Sequence, residues 1–359
     1  MLDAQNDELP FITGRSKDDF KGALLQNGDI IIADTAEDET TGKVCEIVNI
    51  QDKDVVAGLH TMVCRPKNKT AEGYFGYYMN SSSYHHQLLP LMQGIKVLSL
   101  SKTNVQKTTV KYPKDKAEQQ KIADCLRRID TLITLHQRKY EKLVNIKKSM
   151  LDKMFPKNGA SVPEIRFKGF TDLWEQRKIS ELAEKTYGGG TPTTSNEAFW
   201  NGNIPWIQSS DIVDGKLMGV EPRKYITQTG LNNSATQLVP KDSIAIITRV
   251  GVGKLAYMPF SYSTSQDFLS LSKLNTEPFF TVYACYKKLQ SELNTVQGTS
   301  IKGITKDELL AKTISVPVYS EQKQIGSFFT QLDTLITLHQ RKLEKLQNIK
   351  KSCLEKMFV

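Results

Sequence analysis

The chain has 359 residues, of which 39% are hydrophobic and 24% charged, so it is long enough for two or three globular domains. Its 48 Lys and Arg outnumber its 39 Asp and Glu and give a net charge of +9, which favours phosphate-bearing partners without requiring them. No run of about 18 apolar residues predicts a membrane span, and the first ten residues do not resemble a signal peptide. Five widely spaced cysteines predict a reducing cytoplasm and argue against a disulfide framework or a zinc site.

The first part of the chain, residues 1–112, is predicted to be a globular domain built on short strands. Its clearest strand is the apolar run Asp29–Ala33, which Gly, Asn and Pro turns separate from its neighbours. Two lysines, Lys43 and Lys96, follow glycine-containing turns. We interpret both as candidates for contacts with the phosphate backbone of DNA.

Residues 113–157 are predicted to hold one long helix. Apolar residues recur at alternating spacings of four and three, which is the pattern of a coiled-coil stripe. A helix from Glu118 to Met154 would be about 55 Å long at about 1.5 Å per residue, and its stripe needs a partner. The stripe comprises Ile122, Leu126, Ile129, Ile133, His136, Tyr140 and Leu143.

Residues 158–316 are predicted to form a second domain with more candidate DNA contacts. Short glycine-rich or polar segments follow predicted strands. Their backbone N–H groups and polar side chains can bond to a phosphate or a base edge, although each segment also suits an ordinary turn. We interpret Asp211 as a turn residue and Trp200 and Trp206 as core residues. The candidates for DNA contact are Gly189, Thr191, Gln208, Ser209, Ser210, Gln266 and Lys302.

The sequence Thr248–Lys254 follows a predicted strand and invites comparison with nucleotide-binding loops. It is not a P-loop, because Leu255 stands where that motif has Ser or Thr. It also lacks the helix that a dinucleotide fold requires, since Pro259 and Tyr262 follow. The remaining interpretations are a DNA-contacting turn and a plain solvated hairpin. The candidate residues for the DNA contact are Arg249, Gly251, Gly253 and Lys254.

Residues 317–359 repeat the first long helix. Asp333–Phe358 matches Asp130–Phe155 at a constant offset of 203 residues, with four differences in 26 positions. The simplest partner for each helix is therefore its copy, folded back antiparallel. We interpret His136 and His339 as packed seam residues, because no Cys or carboxylate accompanies them on the stripe as a metal site would need. The predicted helix-packing residues are Ile129, Ile133, Leu143, Leu332, Ile336 and Leu346.

The two domains also match each other faintly. Leu25–Ile32 parallels Val239–Ile246, and Gly42–Lys43 parallels Gly253–Lys254. The order is thus globule, helix, globule, helix, with nearly identical helices and divergent globules. Such a chain suits a reader of two unlike DNA half-sites at a set spacing.

Several segments resemble the specificity subunits of type I restriction-modification enzymes. Val162–Phe170, which leads into Asp172–Ile179, resembles the entry to a target recognition domain of these subunits. Other typical pieces are Gly188–Pro192, Ile204–Ile207, Ala57–Thr61 and the helix entries at Glu118 and Glu321. The likeness covers essentially the whole chain, and the combination is more specific than any single piece.

The resemblance implies a mixed α/β chain with two target recognition domains separated by an antiparallel coiled coil. Each domain would read half of a bipartite DNA site, and the chain itself would be non-catalytic. Two modification subunits would dock on the helices and methylate adenine with S-adenosylmethionine. Restriction subunits would cut DNA using ATP and Mg²⁺, so that every cofactor is expected on a partner.

The sequence departs from the family pattern at its front. The first domain has no counterpart of the Trp174–Glu175 entry, the Gly188–Pro192 loop or the Ile204–Ile207 strand. It resembles a recognition domain without its N-terminal third. We therefore expect residues 1–112 to be a partial domain that is unstable or weak in DNA binding by itself.

Three alternatives stay open from the residues alone. The first is a coiled-coil adaptor whose globules bind protein, and the second is a degenerate subunit that binds modification subunits without directing methylation. The third is a divergent nuclease or methyltransferase. The enzyme classes lack their sequence signatures, because there is no Asn-Pro-Pro-aromatic run, no Walker motif and no HExxH. Salt-dependent duplex binding would separate a DNA reader from an adaptor.

Overall fold

The computed structural model describes residues 1–20, 22–37, 40–157, 160–295 and 303–358. The chain divides into two compact units, and each long helix contributes to both. Unit 1 comprises residues 1–139 and 339–359, and unit 2 comprises residues 140–338. No helix of the described residues is long and apolar enough to cross a membrane.

Unit 1 contains a four-stranded sheet in the order β1-β4-β2-β5 and a two-stranded ribbon of β3 and β6. β1 runs parallel to β4, whereas β2 runs antiparallel to both β4 and β5. The strands are β1 (Leu2–Asp3), β2 (Ile30–Ala33), β3 (Thr35–Glu37), β4 (Val44–Val48), β5 (Thr61–Cys64) and β6 (Val97–Ser99). The helices are α1 (Tyr74–Tyr78), α2 (Ser82–Leu88) and α3 (Lys102–Val105), followed by α4 (Lys116–Lys153), which continues into unit 2.

Unit 2 has a larger set of strands. A four-stranded sheet has the order β12-β11-β14-β8, a three-stranded sheet has the order β10-β9-β13, and β15 pairs with β7. The strands are β7 (Glu175–Lys178), β8 (Ala183–Gly188), β9 (Trp200–Ile207), β10 (Lys224–Ile226), β11 (Ser243–Ile247), β12 (Leu255–Met258), β13 (Ser263–Thr264), β14 (Phe268–Leu274) and β15 (Thr313–Val316). The helices are α5 (Gln228–Asn232), α6 (Pro278–Thr295), α7 (Lys306–Ala311) and α8 (Tyr319–Lys356), of which α8 continues into unit 1.

The predicted similarity of the two domains is confirmed by the strand register. Ile30 faces Glu46 and Cys64 in unit 1, and Ile244 faces Tyr257 and Leu271 in unit 2. β2, β4 and β5 therefore correspond to β11, β12 and β14, residue by residue. The hydrogen bond from Ala33 N–H to the Lys43 carbonyl (2.9 Å) has its counterpart in that from Ile247 N–H to the Lys254 carbonyl (2.9 Å). We call residues at equivalent positions of the two units twins.

The two predicted long helices are confirmed, and the bonds within each unit show that they run antiparallel. In unit 1, Asp130 of α4 pairs with Lys350 of α8, while His136, further along α4, meets His339, further back along α8. In unit 2, Lys147 of α4 pairs with Asp333 of α8 in the same sense. The helices form because both repeats are rich in residues of high helix propensity, and the Asp115 carboxylate caps the first by accepting a hydrogen bond from Ala117 N–H (2.8 Å).

Each unit has an aromatic core that includes the phenylalanine just after the long helix that ends in that unit. Phe358 packs edge-on against Tyr74 and Tyr78 in unit 1. Its repeat counterpart, Phe155, packs against Trp174, Phe280 and Phe329 in unit 2. Both phenylalanines are buried, so the end of each helix belongs to a hydrophobic core and is not a free tail.

Candidate nucleic-acid interface

Three segments of unit 2 converge on the chain around Thr264–Asp267. Gly190 N–H donates to the Thr264 carbonyl (2.8 Å), which brings the glycine-rich loop to this strand end. The Ser265 N–H donates to the Ile207 carbonyl (2.9 Å), so the end of β9 also lies here. The β11–β12 hairpin is attached by the bond from Thr248 N–H to the Asp267 carbonyl (2.7 Å). We call residues 189–191, 208–210, 249–254 and 266 together the polar cluster.

Thr191 and Gln266, 75 residues apart in sequence, are in direct contact in this cluster. The Thr191 hydroxyl donates to Gln266 Oε1 at 2.6 Å, and both side chains are exposed. Because the hydroxyl occupies only one lone pair of the amide oxygen, the Gln266 amide group keeps an acceptor site and two donors. Such an oriented glutamine can pair with the N6 and N7 groups of an adenine.

The glycines of the loop are required by close packing inside the protein. A Cβ at Gly189 would lie 1.8 Å from the Ser265 carbonyl oxygen, and one at Gly190 would lie 2.4 Å from the Thr236 nitrogen. The Trp206 indole N–H also donates to the Gly190 carbonyl (3.0 Å). These contacts hold Thr191 in place, and contact between Gly189 and DNA stays a prediction.

A short 3-10 turn, Ser209–Asp211, follows β9, and Gln208 is its N-cap residue. Asp211 stabilises this turn, because its carboxylate accepts the Gln208 N–H (3.0 Å) and pairs with Arg223 (3.0 Å). Gln208 and Ser209 are partly buried and Ser210 is exposed. Trp206 is buried as predicted, and the Lys224 ammonium lies 5.8 Å from the centroids of both Trp206 and Trp200.

Arg223 is a basic residue beside the polar cluster that sequence reasoning missed. Its guanidinium donates to the Ser210 carbonyl (2.6 Å), and 63% of its side chain is exposed. No local motif marks it, since only the pairing of β10 with β9 brings residues 223–224 next to the 208–211 turn. A pairing signal between the two strands is what would have found it.

The β11–β12 hairpin presents Arg249 at its tip. Within the described residues the Arg249 side chain is exposed and has no ion pair or side-chain hydrogen bond. Gly251 and Gly253 both have φ of +90°, so the turn depends on glycine at two positions. Lys254 ends the turn and is partly buried. Because β12 follows, the turn is a strand-to-strand connection and not a nucleotide-binding loop before a helix.

The corresponding region of unit 1 is built from different side chains. The hairpin residue Asp34 donates its N–H to the His60 carbonyl (3.2 Å), as its twin Thr248 does to Asp267. The twin of Gln266 is therefore Leu59, whose side chain is 97% exposed. Lys43, at the end of the hairpin, and Lys96, in the turn before β6, are exposed. Lys302 lies outside the described residues.

The predicted helix-packing residues occupy mostly covered positions. Ile129 and Leu332 are buried, and Leu143 packs against the core of unit 2. Ile133, Ile336 and Leu346 are partly buried. The His136 and His339 rings meet in unit 1 with their Nδ1 atoms 2.7 Å apart. Among the described residues, no cluster of three or more His, Cys, Asp or Glu is arranged to hold a metal ion.

Comparison with known proteins identifies the family to which this chain belongs. Residues 3–145 and 171–348 match the type I restriction modification DNA specificity domain, so the match includes most of both units. The chain belongs to this family. As a type I specificity subunit it is a DNA-recognition protein without catalytic activity of its own, and DNA and other restriction-modification subunits are its partners.

Relatives of this specificity subunit are found in both sequence and structure. The MjaX specificity subunit of Methanocaldococcus jannaschii is 22% identical over 355 residues, which cover 96% of this chain and 80% of the relative. The EcoR124I/EcoR124II specificity subunit of Escherichia coli is 30% identical over 169 residues, 45% of this chain and 41% of the relative. The crystal structure of the type I S subunit from M. genitalium aligns with a TM-score of 0.65 at 15% identity, over 93% of this chain and 83% of that one. The structural likeness confirms the mixed α/β fold with two domains and long helices.

Proposed function

We propose that this specificity subunit reads a bipartite DNA site, with one half-site for each recognition domain. In this proposal the recognition domains are residues 1–112 and 158–316, and the helical segments between them are residues 113–157 and 317–359. The observation that carries the proposal is the polar cluster of unit 2. It gathers oriented, exposed hydrogen-bonding side chains from loops that are distant in sequence.

Within the polar cluster, the side chains that can form two hydrogen bonds at once are our candidates for contacts with base edges. Arg249 presents a planar fork that suits guanine O6 and N7, and Gln266 suits adenine N6 and N7. Gln208 is the third candidate for a base edge. Phosphate contacts fall to residues that offer a single donor or a backbone group, and these are Gly189, Thr191, Ser209, Ser210, Gly251, Gly253 and Lys254. Lys43 and Lys96 take the same role in unit 1, and Lys302 in unit 2.

The proposal is tested by mapping methylated adenines in cells that express this chain with its modification subunit. A motif with two specified halves separated by unspecified bases supports it. Arg249→Ala should then relax the sequence at one position of one half only. A motif with a single half would confine reading to one domain, and the absence of any methylation motif would contradict the proposal.

We further propose that the partners are two modification subunits, one on each helix repeat, joined by restriction subunits. Twin leucines three residues apart support two equivalent sites: Leu132 and Leu135 on α4, and Leu335 and Leu338 on α8. All four are exposed, between 42% and 45%. Exposed leucines repeated on each helix suit an apolar contact with two copies of the same partner.

This stoichiometry is tested by light scattering on the complex with the modification subunit. The double variant Leu335→Lys/Leu338→Lys should lose one copy of that subunit, and the four-fold variant should lose both. Matched changes at polar helix positions, such as Gln340→Lys, should lose none. Retention of two copies by the four-fold variant would contradict docking on these leucines.

A further inference from the structure

The outer side of β5 in unit 1 is without a strand partner among the described residues. Its twin β14 lies between two strands, because β11 covers one side and β8 the other. β5 pairs with β2 on one side and ends the sheet on the other. The burial follows this difference, since Val63 is 37% exposed and its twin Ser270 is fully buried.

The backbone of β5 directs hydrogen-bonding groups to this open side. Asp34 N–H donates to the His60 carbonyl, and Ile32 faces Met62 two residues away. In an antiparallel ladder alternate residues bond to the same neighbour, so Met62 and Cys64 bond to β2. The N–H and C=O of Thr61 and Val63 therefore point away from the sheet. The corresponding groups of Ser270 point to Tyr187 in β8.

A second, partly exposed segment precedes the first long helix, where the Tyr112 ring packs edge-on against Phe75. In unit 2, β15 pairs with β7 and buries Ile314 and Val316 to 5% and 3% exposure. The bond from Gln322 Nε2 to the Pro317 carbonyl has its counterpart in that from Gln119 Nε2 to the Pro113 carbonyl, which aligns the two segments. The twins of Ile314 and Val316 are thus Val110 and Tyr112, which are 44% and 41% exposed.

A third difference concerns a carboxylate at the start of each long helix. Glu321 is fully buried and accepts two hydrogen bonds from Arg166, both at 2.7 Å. Its twin in the helix repeat, Glu118, is exposed. Within the described residues no guanidinium or ammonium pairs with Glu118.

In unit 2 one continuous segment covers all three positions. Arg166 binds Glu321, then β7 pairs with β15, and then β8 pairs with β14. The segment ends at Thr191, which contacts Gln266. The twin of Gln266 in unit 1 is Leu59, a side chain left 97% exposed. All four uncovered positions of unit 1 thus correspond to one stretch like residues 164–192, which the described residues of unit 1 do not supply.

We propose that unit 1 binds such a stretch from another polypeptide, which adds an antiparallel strand to the open side of β5. Strand addition to a free sheet edge supplies main-chain hydrogen bonds for affinity. Among the described residues, Leu2 and Asp3 pair with β4 at the opposite edge, and residues 164–192 already cover unit 2, so a second polypeptide is the source that we propose for this strand. The proposal concerns assembly and does not rest on DNA reading.

The surface defines the chemistry of this partner segment. A basic residue near its start would meet Glu118, as Arg166 meets Glu321. Acidic residues at the beginning of its second strand would lie near the exposed Lys67, which follows β5, as Glu184 pairs with Lys273 near the end of β14. A glycine-rich turn would follow and cover Leu59. The partner is therefore a protein that carries a recognition-domain entry of the same kind as this chain's own.

A synthetic peptide of residues 164–192 tests the proposal on the full chain, in which unit 2 already holds its own copy. We expect saturable binding of the labelled peptide by fluorescence anisotropy and slower amide exchange at Thr61 and Val63. Val63→Pro removes one outward N–H and leaves the pairing with β2 intact. It should weaken binding about fivefold to tenfold, the loss expected for one ladder hydrogen bond. Val63→Thr keeps that N–H and should bind like the parent chain.

A double-mutant cycle tests the basic contact. Glu118→Gln should weaken binding of the parent peptide and leave binding of an Arg166→Ala peptide unchanged. A peptide with Tyr187→Pro should bind poorly to every variant. Absence of saturable binding, or equal binding to the Val63→Pro and Val63→Thr chains, would overturn the proposal. So would concentration-dependent dimerisation of the chain that Val63→Pro abolishes, because the edge would then pair with its own copy.

Discussion

The two repeats build the same three-residue contact in two different surroundings. In unit 1, Asp130 accepts a hydrogen bond from the Tyr77 hydroxyl (2.9 Å) and pairs with Lys350 (2.6 Å). In unit 2, Asp333 accepts one from Tyr283 (2.6 Å) and pairs with Lys147 (2.5 Å). The acidic and basic side chains are 33% and 32% exposed in unit 1 but only 18% and 12% in unit 2.

From this difference in exposure we expect identical repeat residues to contribute unequally to stability. The same geometry recurs in both units. Each contact attaches the second half of one long helix to the unit in which the other long helix begins. The strength of an ion pair depends on how much water surrounds it, however, and unit 2 excludes more water. In both units the pKa of the tyrosine is raised, first by burial and then by the adjacent aspartate. The following variants test how far the two units differ.

The largest expected effect is that of Asp333→Ala. Removing this carboxylate leaves Lys147 largely buried without its partner, and we expect a loss of about 3 kcal/mol in the free energy of unfolding of unit 2. Asp130→Ala should cost unit 1 about 1 kcal/mol, because its pair is more exposed. Urea unfolding by tryptophan fluorescence reports on unit 2, since Trp174, Trp200 and Trp206 all lie there, and segment-resolved hydrogen exchange reports on unit 1. Equal losses would contradict this argument from burial.

The second comparison concerns DNA affinity. Arg249→Ala should weaken binding of the specific duplex by about 1–3 kcal/mol, because a bidentate contact to guanine is lost. Lys43→Ala in unit 1 should weaken binding less and by a similar amount on every sequence, as expected for a phosphate contact. Titrations of specific and unrelated duplexes at two salt concentrations distinguish these outcomes. A uniform loss for Arg249→Ala would show that it contacts phosphate.

The third comparison uses the twin glycines of the two hairpins. Gly253 has φ of +90°, and a Cβ there would lie 2.3 Å from Leu293 Cδ1. Gly42 has φ of +78°, and a Cβ would lie 2.9 Å from Leu88 Cδ1. Gly253→Ala should therefore destabilise unit 2 by about 1–2 kcal/mol, and Gly42→Ala should destabilise unit 1 less. Hydrogen exchange of each hairpin measures both, and the reverse order would contradict the contact distances.

The smallest expected effect is a pH dependence confined to unit 1. Burial, His136 and the neighbouring Lys139 and Lys342 lower the pKa of His339 below its usual 6.5. The unfolded chain therefore binds a proton more readily than the folded one, so stability is present above pH 6.5 and decreases as the pH falls below it. His339→Leu should remove this part of the pH dependence. An unchanged pH profile for the variant would assign the effect to other groups.

Pattern and repetition predicted a large part of the fold. The 26-residue repeat and its stripe predicted both long helices and their antiparallel pairing, because helical periodicity is a local property. The strand at Asp29–Ala33 was also predicted correctly, apart from its first residue. The predicted match of Leu25–Ile32 with Val239–Ile246 is confirmed, because β2 pairs with β5 in the same register as β11 pairs with β14.

The candidate site was less accessible to sequence reasoning. Thr191 and Gln266 could each be named, but their hydrogen bond could not, since it depends on how β8, β13 and β14 are arranged. Arg223 was missed because its position beside Ser210 results from β10 pairing with β9. The DNA contacts of the named residues stay predictions.

The sequence by itself determined the order of domains and helices and the resemblance to the family, because repeats and motifs are read along the chain. Only the tertiary structure decided which groups of unit 1 its described residues leave uncovered: the outward backbone of Thr61 and Val63, the side chains of Val110 and Tyr112, and the carboxylate of Glu118. The physical reason is that a free strand edge is defined by which neighbours a strand has in space. Those neighbours come from residues far away in sequence.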